Sequence, residues 1–331
     1  MSLHTSFIQF SLQQSAIQET SGYSFTLSSP LPGALLFCPH DLPADAHDVL
    51  LSVGVHGNET APIEILEHIV RDLLTGQLAL RQRLLVVLAN PHATRLGVRY
   101  AEYDLNRLFG SGAHDTLEAQ RAVALERLAE SFYQDATRPR VHLDLHTALR
   151  GSVYERFAIY PYTHGAPLKH AWLAWLKAAG MDAALLHHAP AHTFSYFTRH
   201  YYQADSFTLE LGAAHPFGQN ELSHFHLIEQ TLRHFLSTPL APTAVNAPLP
   251  DLFRTKYDLI KHSPAFQLHL ADDIKNFTRL ADGQRIAEDG EVQYQAQGGQ
   301  ERILFPNPTV QVGLRAGIVI EPISWAEVQL A

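Results

Sequence analysis

Three stretches of this chain carry side chains that together could activate water. Gly54-Val55-His56-Gly57-Asn58-Glu59 sets a histidine and a glutamate three apart across a glycine turn, so both side chains can bend toward one point. His142-Leu143-Asp144-Leu145-His146 alternates, and in a strand that alternation puts His142, Asp144 and His146 on one face. Phe207-Thr208-Leu209-Glu210-Leu211-Gly212 places an acid inside an otherwise apolar stretch, which costs on the order of several kcal/mol unless the acid is paired or functional. Two histidines and one carboxylate form a zinc-ligand set that leaves a position for water, and His56, Glu59 and His146 fit it, with Glu210 as the base. Zinc in such a set lowers the pKa of water and polarises a carbonyl. Spacing alone leaves two other readings open: a hydrogen-bonded turn at His56 and Glu59, since the chain has 21 histidines, and a salt bridge from Glu210 to an arginine.

A further cluster runs from Asn90-Pro91 through Arg95, Arg99 and Tyr100 to Asp104-Leu105-Asn106-Arg107. Guanidinium forks pair with carboxylates in a bidentate way, so three arginines in an acidic protein could clamp a carboxylate substrate. A solvated loop whose arginines pair with Glu102 and Asp104 explains the same residues.

These residues need elements to position them. The runs Val49–Val55, Leu84–Ala89, Val141–His146 and Ser206–Leu211 have the length and apolarity of strands buried in mid-sheet. Helical stretches alternate with them. Ala61–Leu74 puts Leu66, Ile69, Val70, Leu73 and Leu74 on one face, with Thr60 as N-cap, Pro62 in the first turn and Gly76 past the end. Thr116–Ala136, Pro167–Ala179 and Asn220–Leu236 are further expected helices. The alternation predicts an α/β fold with a largely parallel sheet, in which ligands bind beyond the carboxyl ends of the strands. Near Ser237–Leu252 the chain becomes rich in proline and small residues. Beyond it, Asp282-Gly283, Asp289-Gly290 and Gly298-Gly299 read as hairpin turns of a small β-rich domain. The expected division is 1–242 and 243–331.

The 331 residues are 46% hydrophobic, enough for a sizeable core, with 24 basic and 33 acidic side chains giving a net charge of −9. An acidic balance argues against nucleic acid and anionic membranes as partners. No apolar run is longer than Leu84 to Ala89, far short of the roughly 20 residues that span a bilayer. The start, MSLHTSFIQFSL, lacks a signal-peptide pattern, and one cysteine, Cys38, suits a reducing compartment, so a cytoplasmic location is expected.

Taken in order, Gly54-x-His56-Gly57-Asn58-Glu59, Asn90-Pro91, Arg99-Tyr100, Asp104-Leu105-Asn106-Arg107, Asp144-Leu145-His146-Thr147 and Leu209-Glu210 resemble the zinc carboxypeptidase-like superfamily, in particular its succinylglutamate desuccinylase and aspartoacylase branch. The resemblance covers roughly residues 50–212, and a β-rich C-terminal segment also suits the branch. It implies a mixed, largely parallel sheet flanked by helices, and one Zn²⁺ per chain held by His56, Glu59 and His146. It further implies Glu210 as general base and then proton donor, Arg99 at the oxyanion, and Asn106 and Arg107 on a substrate carboxylate. The stretch His146-Thr147-Ala148-Leu149-Arg150-Gly151-Ser152, with Phe157-Ala158-Ile159-Tyr160-Pro161, is similar to the desuccinylases. Arg150 thereby becomes a candidate for a further substrate carboxylate, and Arg199 sits at the spacing where aspartoacylases place a substrate-binding arginine. The implied activity is hydrolysis of a small anionic N-acyl amino acid, N-succinyl-L-glutamate, to succinate and L-glutamate, at the end of an arginine-degradation route through succinylated intermediates. A homo-oligomer is compatible with all of this.

Rival readings are weaker. Gly54 and Gly57 give Gly-x-x-Gly, not the three-glycine dinucleotide fingerprint. No Gly-x-Ser-x-Gly elbow is present. An aspartoacylase-like deacylase or a carboxypeptidase would keep the metal and the arginines. So would a binding module without activity, against which the presence of Glu210 argues.

Overall fold

The structure is a computed structural model that describes residues 6–13, 20, 24–112, 115–148, 150–239 and 247–331. Its elements in chain order are α1 (Phe7–Leu12), β1 (Phe25–Ser28), β2 (Ala34–Pro39), β3 (Asp48–Val53), α2 (Thr60–Leu74), β4 (Arg83–Leu88), α3 (Pro91–Leu96), α4 (Leu117–Phe132), β5 (Arg140–Ala148), β6 (Phe157–Tyr160), α5 (His170–Ala178), β7 (Ala183–Leu186), α6 (Phe194–Tyr202), β8 (Asp205–Ala213) and α7 (His226–Ser237). The C-terminal segment adds β9 (Asp251–Ile260), β10 (Gln267–Leu268), β11 (Thr278–Arg279), β12 (Arg285–Asp289), β13 (Val292–Gln295), β14 (Arg302–Leu304) and β15 (Arg315–Pro322).

The four runs expected as buried strands are β3, β4, β5 and β8, and they lie side by side in parallel at the centre of a mixed sheet. The sheet has twelve strands in the order β1-β2-β4-β3-β5-β8-β6-β7-β9-β15-β14-β11. The β6 strand runs antiparallel to β8, while β6, β7 and β9 are again parallel to one another. The α/β class and the small C-terminal β region are therefore as expected. The C-terminal strands do more than form a separate unit, however, because β9, β15, β14 and β11 extend the same sheet. The expected boundary at 242/243 falls within 240–246, outside the described residues.

Three local expectations shift. Helix α2 begins at Thr60 with Glu59 as N-cap, since the Thr60 hydroxyl donates to the His215 carbonyl instead of capping the helix. Asn220–Leu236 splits into a short 3-10 turn and α7. Of the three glycine turns, Asp289-Gly290 closes a hairpin between paired strands β12 and β13. Asp282-Gly283 instead turns between β11 and β12, which pair with different partners, β14 and β10 with β13.

Two glycines shape the turn that follows β3. Gly54 has φ +63°, a left-handed conformation costly for other residues, and a Cβ on it would meet Leu88 Cδ1 at 2.5 Å. A Cβ on Gly57 would lie 2.2 Å from the backbone of Ala93 and Thr94, so only glycine lets α3 pack onto this turn. The turn is thus wedged between β4 and α3 with His56 and Glu59 projecting from it.

Candidate metal and active site

His56 and Glu59 leave the β3–α2 turn, and His146 stands at the end of β5, directly beside β3. Their donor atoms all lie within 4.8 Å of one another, and the residues are 5%, 2% and 2% exposed. His56 Nδ1 is 2.8 Å from Glu59 Oε1, and His146 Nδ1 is 2.9 Å from Glu59 Oε2. The His56 Nδ1 contact is not aligned as a hydrogen bond, leaving this buried nitrogen unpartnered. One carboxylate approached by this unpartnered nitrogen and hydrogen-bonded to the second imidazole offers three converging donors, which fit a shared divalent cation. A buried His-Glu-His group that could bind a metal is therefore present.

Both imidazoles turn Nε2 away from the cluster and toward a carboxylate. His56 Nε2 is 3.1 Å from Asp104 Oδ1, and His146 Nε2 is 2.9 Å from Asp144 Oδ2. Such outer partners fix the tautomer of a ligating histidine. Asp144 also accepts from the Ser52 hydroxyl, and Ser52 Oγ is 2.8 Å from His142 Nε2. Thr198 Oγ1 of α6 lies 2.8 Å from His142 Nδ1. Sequence reading assigns no role to Asp144 or Ser52 and takes Asp104 only as a partner of the loop arginines, of which Arg107 Nη2 lies 3.8 Å from Asp104 Oδ2. The alternation of β5 is the available signal for Asp144, while Asp104 lies a full loop away from His56 and nothing local points to their pairing.

Burial raises the cost of every charge here. It would push Glu59 up, but His56 and His146 outweigh it and hold the carboxyl well below its usual range. Asp104 is likewise lowered despite burial, chiefly by His56. Glu210 behaves oppositely. Burial raises it to about 7, with the Glu59 charge adding and the histidines opposing. Its register partner on β5 is His146, and its Oε2 is buried without a hydrogen bond. A carboxyl balanced near neutrality can both take and return a proton.

A cleft of about 950 Å³ opens over these residues. Among the expected substrate residues, Arg99, Asn106, Arg107 and Arg150 line it. Arg99 Nη1 donates to Glu59 Oε1 at 2.8 Å. Asn106 Nδ2 is 3.5 Å from His146 Nε2, while its Oδ1 accepts from the Phe194 backbone N–H at the start of α6. Arg107 Nη1 donates to the Asn106 carbonyl. Arg150 Nη1 donates to the carbonyls of Asp272 and Ile274, tying this loop to the C-terminal segment. Leu149, in the same stretch, is outside the described residues.

Arg199 is a correction. It does not line the cleft. Its Nη1 donates to the Ala204 carbonyl and lies 3.8 Å from Asp205 Oδ1, so α6 turns it toward the start of β8, at the other end of the strand from Glu210. Spacing along the chain carried no information about which face of α6 it occupies. Arg95 also points elsewhere, donating to the Leu12 carbonyl of α1.

With this geometry in place, comparison with known proteins identifies the family. The succinylglutamate desuccinylase/aspartoacylase catalytic domain matches residues 45–236, and the AstE/AspA barrel-sandwich hybrid domain matches residues 249–323. The chain belongs to the succinylglutamate desuccinylase/aspartoacylase family. It is 57% identical over 308 residues to a succinylglutamate desuccinylase of Chromobacterium violaceum, covering 88% of this chain and 92% of that one. A Pseudomonas paraeruginosa protein of the same name is 45% identical over 295 residues, covering 88% and 89%. The crystal structure of the Chromobacterium violaceum enzyme superimposes with a TM-score of 0.83, covering 96% of this chain and 98% of that one at 49% identity. That of Vibrio cholerae succinylglutamate desuccinylase gives 0.91, covering 99% of both at 29% identity. Among the described residues, no helix is long and apolar enough to cross a membrane.

Proposed function

We propose that this family member hydrolyses the amide of N-succinyl-L-glutamate to succinate and L-glutamate, with Zn²⁺ held by His56, Glu59 and His146. The observation that carries the reading is the convergence of three buried donors beside a carboxyl, Glu210, that lacks a hydrogen-bond partner at Oε2. The names of the relatives support the substrate. The place of this reaction is the last step of arginine breakdown through succinylated intermediates. The division into 1–242 and 243–331 is part of the proposal, supported by the separate family matches, as is a cytoplasmic location, which the single cysteine suits.

Zinc, when bound, would supply Lewis acidity toward the amide carbonyl and toward water. The remaining chemistry belongs to the chain. Glu210 takes the proton of the attacking water and returns it to the leaving nitrogen, which an amide requires before its amine can depart. Arg99, beside Glu59, donates to the oxygen that gains charge in the transition state. Asn106 and Arg107 hold a substrate carboxylate at the cleft wall, and Arg150 faces the same space. Asp104 and Asp144 keep the two ligand imidazoles oriented.

The test is amine release from N-succinyl-L-glutamate and N-acetyl-L-aspartate by chelator-stripped enzyme, with and without added zinc. Zinc-restored hydrolysis that strongly favours the succinyl substrate is expected. Preference for the acetyl substrate would move the chain to the aspartoacylase side of its family, and no turnover of either would remove the substrate assignment. Zinc should also raise the melting temperature. A site binding only the folded state adds about 2.7 kcal/mol when metal stands at a hundred times Kd, and His146→Ala should abolish that gain.

A further inference from the structure

N-succinyl-L-glutamate carries three carboxylates, and the following inference rests on the reading of that molecule as substrate. Asn106 and Arg107 account for one carboxylate. Arg199 faces away, and one Nη of Arg150 is taken up by two carbonyls. The cleft nevertheless contains another cation that the sequence did not single out, Arg315, brought in by β15 of the C-terminal segment.

Arg315 is oriented by a histidine and by an ion pair with Asp258, both on the side of Nη1. Its Nη1 lies 2.9 Å from His187 Nε2, and 3.6 Å from Asp258 Oδ1, a buried oxygen that has no hydrogen bond of its own. His187 Nδ1 lies 2.9 Å from the Ala189 carbonyl and so carries the ring proton, which leaves Nε2 to accept from the guanidinium. Burial, with the Arg315 charge adding to it, holds His187 down to about 4, so this support stays neutral. The Nε and Nη2 of Arg315 donate to no group among the described residues, and the side chain is 27% exposed on the cleft side. Arg107 is near enough to act on Arg315 electrostatically, so two cations converge in a chain of net charge −9. Like charges held together in a half-buried wall are favourable when an anion sits between them.

We propose that Arg315, braced by His187, is a specificity-determining residue that receives a substrate carboxylate remote from the scissile amide. Two groups have that character: the distal carboxylate of the succinyl moiety and the side-chain carboxylate of the glutamyl moiety. The Nε–Nη2 edge of the guanidinium offers the two parallel donors that a bidentate carboxylate pair needs.

The experiment measures kcat and KM of wild type, Arg315→Met and Arg315→Lys on three substrates: N-succinyl-L-glutamate, N-acetyl-L-glutamate, which lacks the distal acyl carboxylate, and N-succinyl-L-norvaline, which lacks the side-chain carboxylate. For the first, Arg315→Met should raise KM roughly tenfold to a hundredfold with a smaller change in kcat, and Arg315→Lys should recover part of the loss. The KM penalty should vanish on at least one analogue, and the analogue on which it vanishes names the carboxylate. An unchanged KM, or an equal penalty on all three substrates, would overturn the proposal. Calorimetric binding of succinate and of L-glutamate to the same three proteins separates this idea from the substrate assignment. If wild type turns over none of the substrates, the assignment falls, and Arg315 is then judged on binding alone: a Kd for both ligands that Arg315→Met leaves unaltered ends the proposal, while a weakened Kd for either sustains it. Arg315→Lys provides the same readings if the methionine variant folds poorly.

Discussion

On β5, Val141, Leu143 and Leu145 point to one side of the sheet while His142, Asp144 and His146 point to the other. The β8 strand repeats the division, with Phe207, Leu209 and Leu211 opposite Ser206, Thr208 and Glu210. All twelve are buried. The apolar side packs with Leu66 and Ile69 of α2 and with Ile228, Leu232 and Phe235 of α7 in one continuous core. The polar side is covered by α6, whose Ser195 and Thr198 hydrogen-bond to Thr208 and Ser206. Equal burial therefore serves two ends. Each apolar side chain adds about 1.5–3 kcal/mol by leaving water, and its neighbours can be exchanged for others of similar volume. Each polar one must instead be matched, donor to acceptor, or it destabilises the fold. Glu210 is the member of the polar side left with an unmatched oxygen, and it faces the cleft.

Substitutions on the two sides should separate activity from stability. The largest effect is expected on the polar side. Glu210→Gln should lower kcat roughly 10²- to 10⁴-fold while zinc content, measured by elemental analysis, stays at one per chain. Its melting temperature should hold or rise, because a buried carboxyl raised to about 7 is replaced by a neutral group of the same shape. Near-normal turnover with zinc bound would remove Glu210 from the proton-transfer role. On the apolar side, Leu143→Ala should cost about 2–5 kcal/mol in urea unfolding and leave KM unchanged in the folded fraction. A comparable fall in kcat would show that the two sides are not independent.

Acid should also discriminate between the sides. Burial holds His142 down to about 4 in the folded chain, against about 6.5 when unfolded. Its folded state takes the proton less readily, so its contribution is fully present above about pH 6.5 and is lost as pH falls toward 4, by on the order of 3 kcal/mol. Unfolding free energies measured between pH 7 and 4 should fall more steeply for wild type than for His142→Gln. Parallel curves would mean that His142 is already protonated in the folded protein.

Much of the polar side was legible because its signal is local. The alternation of His142, Asp144 and His146, the glycines that wedge the His56–Glu59 turn, and an acid inside a buried strand are all visible within a few residues. What could not be read depends on contacts between distant segments. Arg199 sat at a plausible spacing, but the face of α6 it occupies is decided by packing. Arg315 enters the cleft because β15 joins the central sheet through β9, a pairing that no local pattern announces. Strands β6 and β7 are only four residues each, too short to show a period. The early start of α2 has the same origin, since Thr60 turns to the distant His215 carbonyl.

The smallest expected effect asks whether the matched side is matched in one direction only. Ser52 has one hydroxyl proton, and it goes to Asp144. His142 must therefore donate to Ser52 from Nε2 and accept from Thr198 at Nδ1, and the chain of donors runs from α6 to Asp144. Asp144, accepting at both oxygens, can then take the His146 Nε2 proton and leave Nδ1 free toward the metal position. Asp144→Asn has two orientations. One presents an N–H to His146 and drives its proton onto Nδ1; the other presents an N–H to Ser52 and forces the whole chain to reverse. Either should weaken zinc about 10- to 100-fold in chelator competition, with a modest change in stability. Asp104→Asn supplies the contrast. Asp104 braces His56 in the same manner, but its side chain is 16% exposed where that of Asp144 is 0%, so water can repair the mismatch and the loss should be smaller. Equal losses would mean that burial of the brace, and with it the directed chain through Ser52, has no bearing on how firmly the metal is held.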